Sequence, residues 1–254
     1  MIELQQGDVH ELIKTIPDHS INLVLTDPPY GISAAKDKWD KSLDWQALWP
    51  ELNRVLAPHG AIALFSASKF TFELVSTNLK QFRYKYTWVK NFSTGFLNAS
   101  RLPLKRSEDV CIFYKNQPTY NPQRYETDKP AIVIRDKKEW QRQLYRCPGE
   151  IDRVRAYDNT RLYDYVLFFD AEPISGRLHP SQKPIALLEH FIKTYTNEGQ
   201  TVLDFCMGSG STGLAAMNTN RNFIGFELMP KYFDMAQARI NAQRSNRGAY
   251  GLYR

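Results

Sequence analysis

The sequence predicts an α/β protein whose core is a doubly wound, largely parallel sheet with its strands in circularly permuted order. Three observations predict it. Short β-branched runs alternate with stretches of helical periodicity, a pattern that buries both faces of a parallel sheet under helices. Near the start, "NLVLTDPPYGI" (22–32) ends an apolar run in an acid, two prolines and an aromatic. Near the end, "VLDFCMGSGSTG" (202–213) places a glycine-rich turn between a strand and a helix.

Taken in order, "IELQ" (2–5) reads as a strand, and Asp8 opens a helix whose apolar face is Leu12, Ile13 and Ile16. "INLVLT" (21–26) is a buried strand. Trp45, Leu48, Trp49, Leu52, Val55 and Leu56 recur at helical spacing, "PHG" (58–60) stops that helix, and "AIALF" (61–65) is strand again. "FRYKYTW" (82–88) alternates aromatic with basic or polar residues, as a half-buried strand does. From about Thr119 to Arg177 the periodicity dissolves, yet the stretch keeps too many Tyr, Trp, Ile and Leu residues for disorder. The expectation is an inserted lobe over 119–177 and a core formed by 1–118 and 178–243. That core closes with a helix begun by Pro184, the strand "TVLDF", the strand "NFIGFE" (222–227) and a helix from Pro230, leaving 244–254 as a tail.

Composition excludes some classes. No apolar run reaches the roughly 18 residues of a membrane span, and "MIELQQGDVH" lacks a basic-then-apolar leader. Cys111, Cys147 and Cys206 are odd in number and show no metal-ligand spacing, so free thiols in a reducing compartment and no metal are expected. The net charge of +6 is a mild bias toward polyanionic partners.

Gly208, Gly210 and Gly213 satisfy G-x-G-x-x-G, whose small residues let backbone N–H groups approach a ligand at a helix N-terminus. A tight turn without a ligand would fit that match equally well. Two neighbours discriminate. Asp204 would repel a pyrophosphate but can receive the amino group of an amino acid, and Glu227 ends the next strand, where an acid takes both ribose hydroxyls. Ribose plus a zwitterion describes S-adenosylmethionine and disfavours a nicotinamide cofactor.

Joining the last helix to the first strand gives the order Gly-loop strand, Glu227 strand, N-terminal strand, Asp27 strand. In a 3-2-1-4-5 sheet the first and fourth of these are neighbours at the topological switch point, so both turns open on one crevice. Asp8 then ends the third strand, either as a helix cap or as an acceptor for an adenine amino group. In the acid-proline turn, Asp27 and the Pro28 carbonyl can accept both hydrogens of an exocyclic base amine. Pro28 and Pro29 stiffen the turn, and Tyr30 offers a face for an extruded base.

These residues resemble the DNA amino-methyltransferases of the β-type motif order. The resemblance runs through "GDVHELIKTIPDHSINLVLTDPPYGI", "ELNRVLAPHGAIALF", "WVKNFSTGFLNASRLPLKRSEDVCIFYK", "LHPSQKPIALLEHFI" and "VLDFCMGSGSTG", then "FIGFELMPKYFDMAQARI". It implies a Rossmann-like class I methyltransferase fold, S-adenosylmethionine as cofactor and 119–177 as the target-recognition region. It also implies catalytic Asp27, Pro28, Pro29 and Tyr30, with Asp8, Lys183, Asp204, Phe205, Gly208, Ser209, Gly210 and Glu227 toward the cofactor. Three places depart from the family pattern: Asp204-Phe205-Cys206 stands for Asp-Pro-Phe, "APHG" for Pro-Gly-Gly, and "SED" (107–109) where His-Glu is frequent.

The loop "NFSTGFLNASRLPLKR" (91–106) clusters cations beside Gly, Ser and Asn donors, and Lys90, Arg101, Lys105 and Arg106 are the expected phosphate contacts. The expected activity is methylation of adenine N6 in duplex DNA. Cytosine N4 is the near rival, because the same two acceptors serve either amine, and Asp rather than Ser favours adenine by resemblance only. Cytosine-C5 chemistry would need a proline-cysteine nucleophile, whereas Cys147 precedes its proline. A DNA-binding relative without catalysis is a rival of another class. The family leaves a homodimer open, little chain is spare for a nuclease, and a restriction endonuclease would be a separate protein. The expected location is the cytoplasm, at the nucleoid of a prokaryotic or phage-infected cell.

Overall fold

The computed structural model describes residues 1–31, 40, 42–127, 159–172 and 182–251. Contacts divide the chain into two units, one of Met1–Asn121 with Tyr165–Arg254 and the other of Pro122–Asp164. In chain order the elements are β1 (Ile2–Gln6), α1 (Val9–Leu12), β2 (Ile21–Thr26), α2 (Trp45–Val55), β3 (Leu56–Ser66), α3 (Ser68–Thr77), β4 (Phe82–Thr94) and β5 (Lys105–Phe113). There follow β6 (Arg124–Glu126), β7 (Thr160–Leu162), β8 (Val166–Phe168), α4 (Ile185–Tyr195), β9 (Thr201–Asp204), α5 (Ser211–Asn218), β10 (Asn222–Glu227) and α6 (Pro230–Gly251).

The first unit is built on an eight-stranded sheet of order β1-β10-β9-β2-β3-β5-β4-β8. Its first five strands are parallel neighbours, and counted from β9 they read 3-2-1-4-5, the order expected for a permuted doubly wound sheet. β9 and β2 pair through Leu23↔Val202 and Val24↔Leu203, so the crossover from β9 runs one way and that from β2 the other. Their carboxyl ends open side by side at the switch point.

Local sequence explains the elements that hold this frame. Ile21, Leu23, Val24 and Leu25 of β2 are buried, as a central strand between two parallel neighbours requires. Asp44 caps α2 by accepting from the Gln46 and Ala47 N–H groups, and Trp45, Leu48, Trp49, Leu52 and Val55 turn its apolar stripe onto the sheet. That helix ends at Val55, and Leu56 already belongs to β3. The expected "PHG" turn survives inside that strand as an irregularity, since Ile21 faces Leu56 while Leu23 faces Ala61.

Three differences concern the insertion and the tail. Of the 119–177 stretch, Tyr165 and β8 join the main unit, where β8 pairs in parallel with β4. The second unit contains the antiparallel pair β6 and β7 with Tyr125 packed on Tyr163, and 128–158 lie outside the described residues. The tail expected from 244 is instead a continuation of α6 to Gly251. Among the described residues, no helix is long and apolar enough to cross a membrane.

Candidate active site

A cavity of about 440 Å³ opens at the carboxyl ends of β1, β10, β9 and β2. Asp27, Pro28, Pro29 and Tyr30 line it from one side, and Asp204, Phe205, Gly208, Ser209 and Glu227 from the other, with Asp8 and Lys183. The two distant turns touch directly. The Thr26 hydroxyl donates to Asp204 Oδ1 at 2.6 Å, a buried bond between residues 178 apart in sequence.

The cofactor side is preorganised by the backbone. Glu227 accepts from the Gly208 N–H at 2.9 Å on one oxygen and from the Met229 N–H at 2.8 Å on the other. The Leu228 N–H also supports this carboxylate, whose remaining lone-pair capacity can accept an outward hydroxyl. Burial holds the Glu227 carboxyl above its ordinary pKa against these N–H groups. Asp204 is 3% exposed, and burial pushes it up to about 6 although Thr212, Thr26 and the Cys206 N–H donate to it. A cationic partner would relieve that penalty.

The loop itself is braced by a residue with no local sequence signal. Arg239 of α6 donates to the Ser209 carbonyl at 2.6 Å and to the Ser209 and Ser211 hydroxyls at 3.0 and 3.3 Å. Gly210 differs from its expected role, because it does not line the cavity. It adopts φ +78°, and a Cβ there would stand 3.0 Å from the Ala236 Cβ, so it serves the turn and the approach of α5 to α6. Asp8 does cap α1, accepting from the His10 N–H at 2.8 Å, while also facing the cavity. Phe205 is buried in the main apolar cluster and forms cavity wall.

On the acceptor side the Tyr30 hydroxyl donates to Asp27 Oδ1 at 2.9 Å, and its ring stacks on Phe70 with centroids 4.7 Å apart. Phe70 therefore fixes one face of Tyr30. Lys183 lies beside Asp27, its Nζ 2.5 Å from Oδ2, and 3.3 Å from Glu108 Oε2. Burial raises the Asp27 pKa, Lys183 pulls it down, and the balance stays above the ordinary aspartate value. Burial would raise Glu108 as well, but the ammonium groups of Lys183 and Lys90 overcome it and hold Glu108 low. Glu108, Thr26, Phe70 and Arg239 were all absent from the sequence-based candidates.

The four expected phosphate contacts separate. Arg101, Lys105 and Arg106 are exposed. Lys90 turns inward, bonded to Glu108 and lying over the Trp88 ring.

The lining chemistry can be tested against candidate ligands. Among the described residues, Asp8, Asp27, Asp40, Glu108, Asp204 and Glu227 face the cavity, with Lys183 the one lysine. A diphosphate would be repelled, whereas a ligand with an ammonium, a sulfonium and a ribose fits this donor and acceptor set. The volume also falls in the usual range for small-molecule sites, about 300–1,000 Å³.

Comparison with known proteins agrees with that chemistry. A family profile described as DNA methylase matches residues 21–238. The type II methyltransferase M.HpaI of Haemophilus parainfluenzae is 27% identical over 243 residues, covering 91% of this chain and 71% of that protein. The DNA adenine methyltransferase YhdJ of Escherichia coli K12 is 28% identical over 246 residues, covering 92% and 81%. Among solved structures, the M1.HpyAVI complex with S-adenosylmethionine superposes with a TM-score of 0.64 at 25% identity, covering 95% of this chain and all of that one.

Proposed function

The chain belongs to the DNA methylase family, and from that premise we propose that it methylates the N6 amino group of adenine in a short duplex DNA site, using S-adenosylmethionine. The observation that carries this reading is the Thr26–Asp204 bond, which ties the acceptor turn to the cofactor turn within one cavity.

The residues divide the work. Asp204 would take the cofactor's ammonium, Glu227 its ribose hydroxyls, and Asp8 its adenine amine. The cofactor supplies a methyl group on a sulfonium, whose carbon–sulfur bond breaks with the electron pair left on sulfur. Asp27 and the Pro28 carbonyl accept the two hydrogens of the target amine. Its lone pair is delocalised into the ring, and two acceptors favour the tetrahedral nitrogen that attacks. Tyr30, rigid against Phe70, presents its remaining face to an extruded base. The amine's surplus proton then leaves to solvent.

DNA contact is assigned to the β4–β5 hairpin. Thr87 is level with Asp109, which pairs with Ser66 at the end of β3. Beyond that level β4 continues from Trp88 to Thr94, about 20 Å past the carboxyl edge on which the cavity opens. Its tip carries exposed Arg101, Lys105 and Arg106. Replacing all three by Ala should weaken duplex binding for every sequence and lower the log K–log salt slope by about 3 units. The turnover at saturating DNA should be retained. Fluorescence anisotropy across a salt series measures both, and an unchanged slope would remove the hairpin from the interface. The second unit is assigned to target recognition, and a homodimer, a separate endonuclease and a nucleoid location belong to the same proposal.

The experiment is product analysis. Duplex DNA incubated with the protein and labelled S-adenosylmethionine, then digested to nucleosides, should yield N6-methyladenine. N4-methylcytosine would overturn the choice of base. DNA binding with no label transferred would favour a catalytically inactive relative.

A further inference from the structure

Lys183 is expected toward the cofactor, and in the shared cavity its ammonium sits between two carboxylates, 2.5 Å from Asp27 Oδ2 and 3.3 Å from Glu108 Oε2. We propose that Lys183, braced by Glu108, is a positioning residue that keeps the Asp27 carboxylate ionised and aimed for the acceptor amine. This deepens the methyltransferase reading and rests on it.

Several observations converge. Lys183 is 8% exposed, so its charge has little water to fall back on and its partners decide where it sits. The backbone is stiff there, because Pro184 caps α4 at φ −63° and restricts the residue before it. The Phe65 ring lies under the ammonium at 5.0 Å, an arrangement that favours the cation. Glu108 is held in turn by Lys90 on β4. The result is an alternating series, Lys90, Glu108, Lys183, Asp27, which brings no net charge to the acceptor end of the cavity.

The geometry also leaves Asp27 free to work. Oδ1 takes the Tyr30 hydroxyl and Oδ2 takes Lys183, so the carboxylate plane is set by two donors. Each oxygen retains a lone pair for an amine N–H. A protonated carboxyl would instead present a hydroxyl donor to the base. Among the described residues, the charged and titratable groups around Asp27 are Tyr30 on its own turn, Lys183 before α4, Glu108 on β5, and Asp204 and Cys206 at the end of β9, with Asp40, which accepts from the Gly31 N–H, on the same cavity wall. Only Lys183 among them favours the anion by charge. Without it, burial and the Glu108 carboxylate both drive a proton onto Asp27.

The test compares Lys183→Met, Lys183→Arg, Glu108→Gln and the double variant Lys183→Met with Glu108→Gln. Single-turnover methyl transfer is followed across pH, with S-adenosylmethionine affinity by calorimetry. Lys183→Met should be roughly 100-fold slower near neutrality, the usual cost of about 1 Å of misplacement. Its acid limb should move up by about one pH unit or more. Lys183→Arg should recover part of the rate. Glu108→Gln should move the acid limb down, and adding it to Lys183→Met should bring that limb back toward wild type. Cofactor affinity should stay within about threefold throughout.

A wild-type rate and pH profile in Lys183→Met would overturn the proposal. So would lost cofactor affinity with an unmoved acid limb, which would return Lys183 to the cofactor. If Lys183→Met does not fold, an unmoved limb in Glu108→Gln is itself contradictory. A wild-type protein inactive on DNA would refute the underlying methyltransferase reading instead.

Discussion

Asp27→Ala should lower methyl transfer to DNA by about 1,000-fold, the upper end of what one preorganised polar group contributes, while S-adenosylmethionine binds within about threefold of wild type. The asymmetry follows from the layout of the cavity. Asp27 stands on the acceptor turn, and the groups assigned to the cofactor are Asp204, Glu227 and Asp8 on other strand ends. Removing Asp27 deletes the acceptor that makes the amine nucleophilic and takes one of the two carboxylates from beside Lys183. Breaking a buried ion pair from one side destabilises by about 3–5 kcal/mol, so melting must be measured beside activity. Asp27→Asn keeps the side-chain shape and a neutral acceptor, and should be nearly as slow with a smaller loss of stability. Lost cofactor binding in a folded Asp27→Asn would contradict the division of the cavity.

Asp204→Asn should do the reverse, with opposite signs on stability and binding. Folded Asp204 holds its proton up to about pH 6, above the ordinary aspartate value near 3.8, chiefly because burial disfavours the anion. The folded state therefore binds this proton more tightly than the unfolded chain. Stability contributed by Asp204 falls as pH rises from about 4 to about 6 and stays low above, a loss on the order of 3 kcal/mol. Asn carries no such charge and still accepts from the Thr26 hydroxyl, so the variant should be more stable than wild type above pH 6 and equal to it near pH 4. Cofactor affinity should nevertheless drop by about 30- to 100-fold at pH 8, since a charged hydrogen bond to an ammonium contributes about 2–3 kcal/mol. In the wild type, affinity should fall by up to about tenfold per unit as pH drops below 6, and in Asp204→Asn that dependence should vanish. Denaturant melts and calorimetry at pH 4.5, 6 and 8 measure both effects. Unchanged affinity in the variant would remove Asp204 from the cofactor site.

The parts of this molecule legible in the sequence are those encoded by strand ends. Asp27, Asp204 and Glu227 each follow or close an apolar run, and the order of their strands determines which ends adjoin. The permuted 3-2-1-4-5 sheet was readable for that reason, and with it the shared cavity. What escaped depends on where a side chain points once distant elements pack. Lys90 reads as a phosphate contact beside a cluster of cations, but it pairs with Glu108 of the neighbouring strand. Arg239 sits among ordinary helical residues, and only the approach of α6 brings it to Ser209. Gly210 fits a ligand-binding pattern, and the pattern carries no sign that its missing Cβ also makes room for Ala236 of α6. The turn at Pro58 was legible as a turn, though not as an irregularity within a pairing strand, because strand pairing extends to Leu56.

The most direct measurement is a crystal structure of the protein with S-adenosylhomocysteine. The ligand's ammonium should lie within hydrogen-bond distance of Asp204 and its ribose hydroxyls on Glu227, with the sulfur facing the gap between Asp27 and Tyr30. A sulfur turned away from Tyr30, or a ligand bound outside this cavity, would contradict methyl transfer at this site.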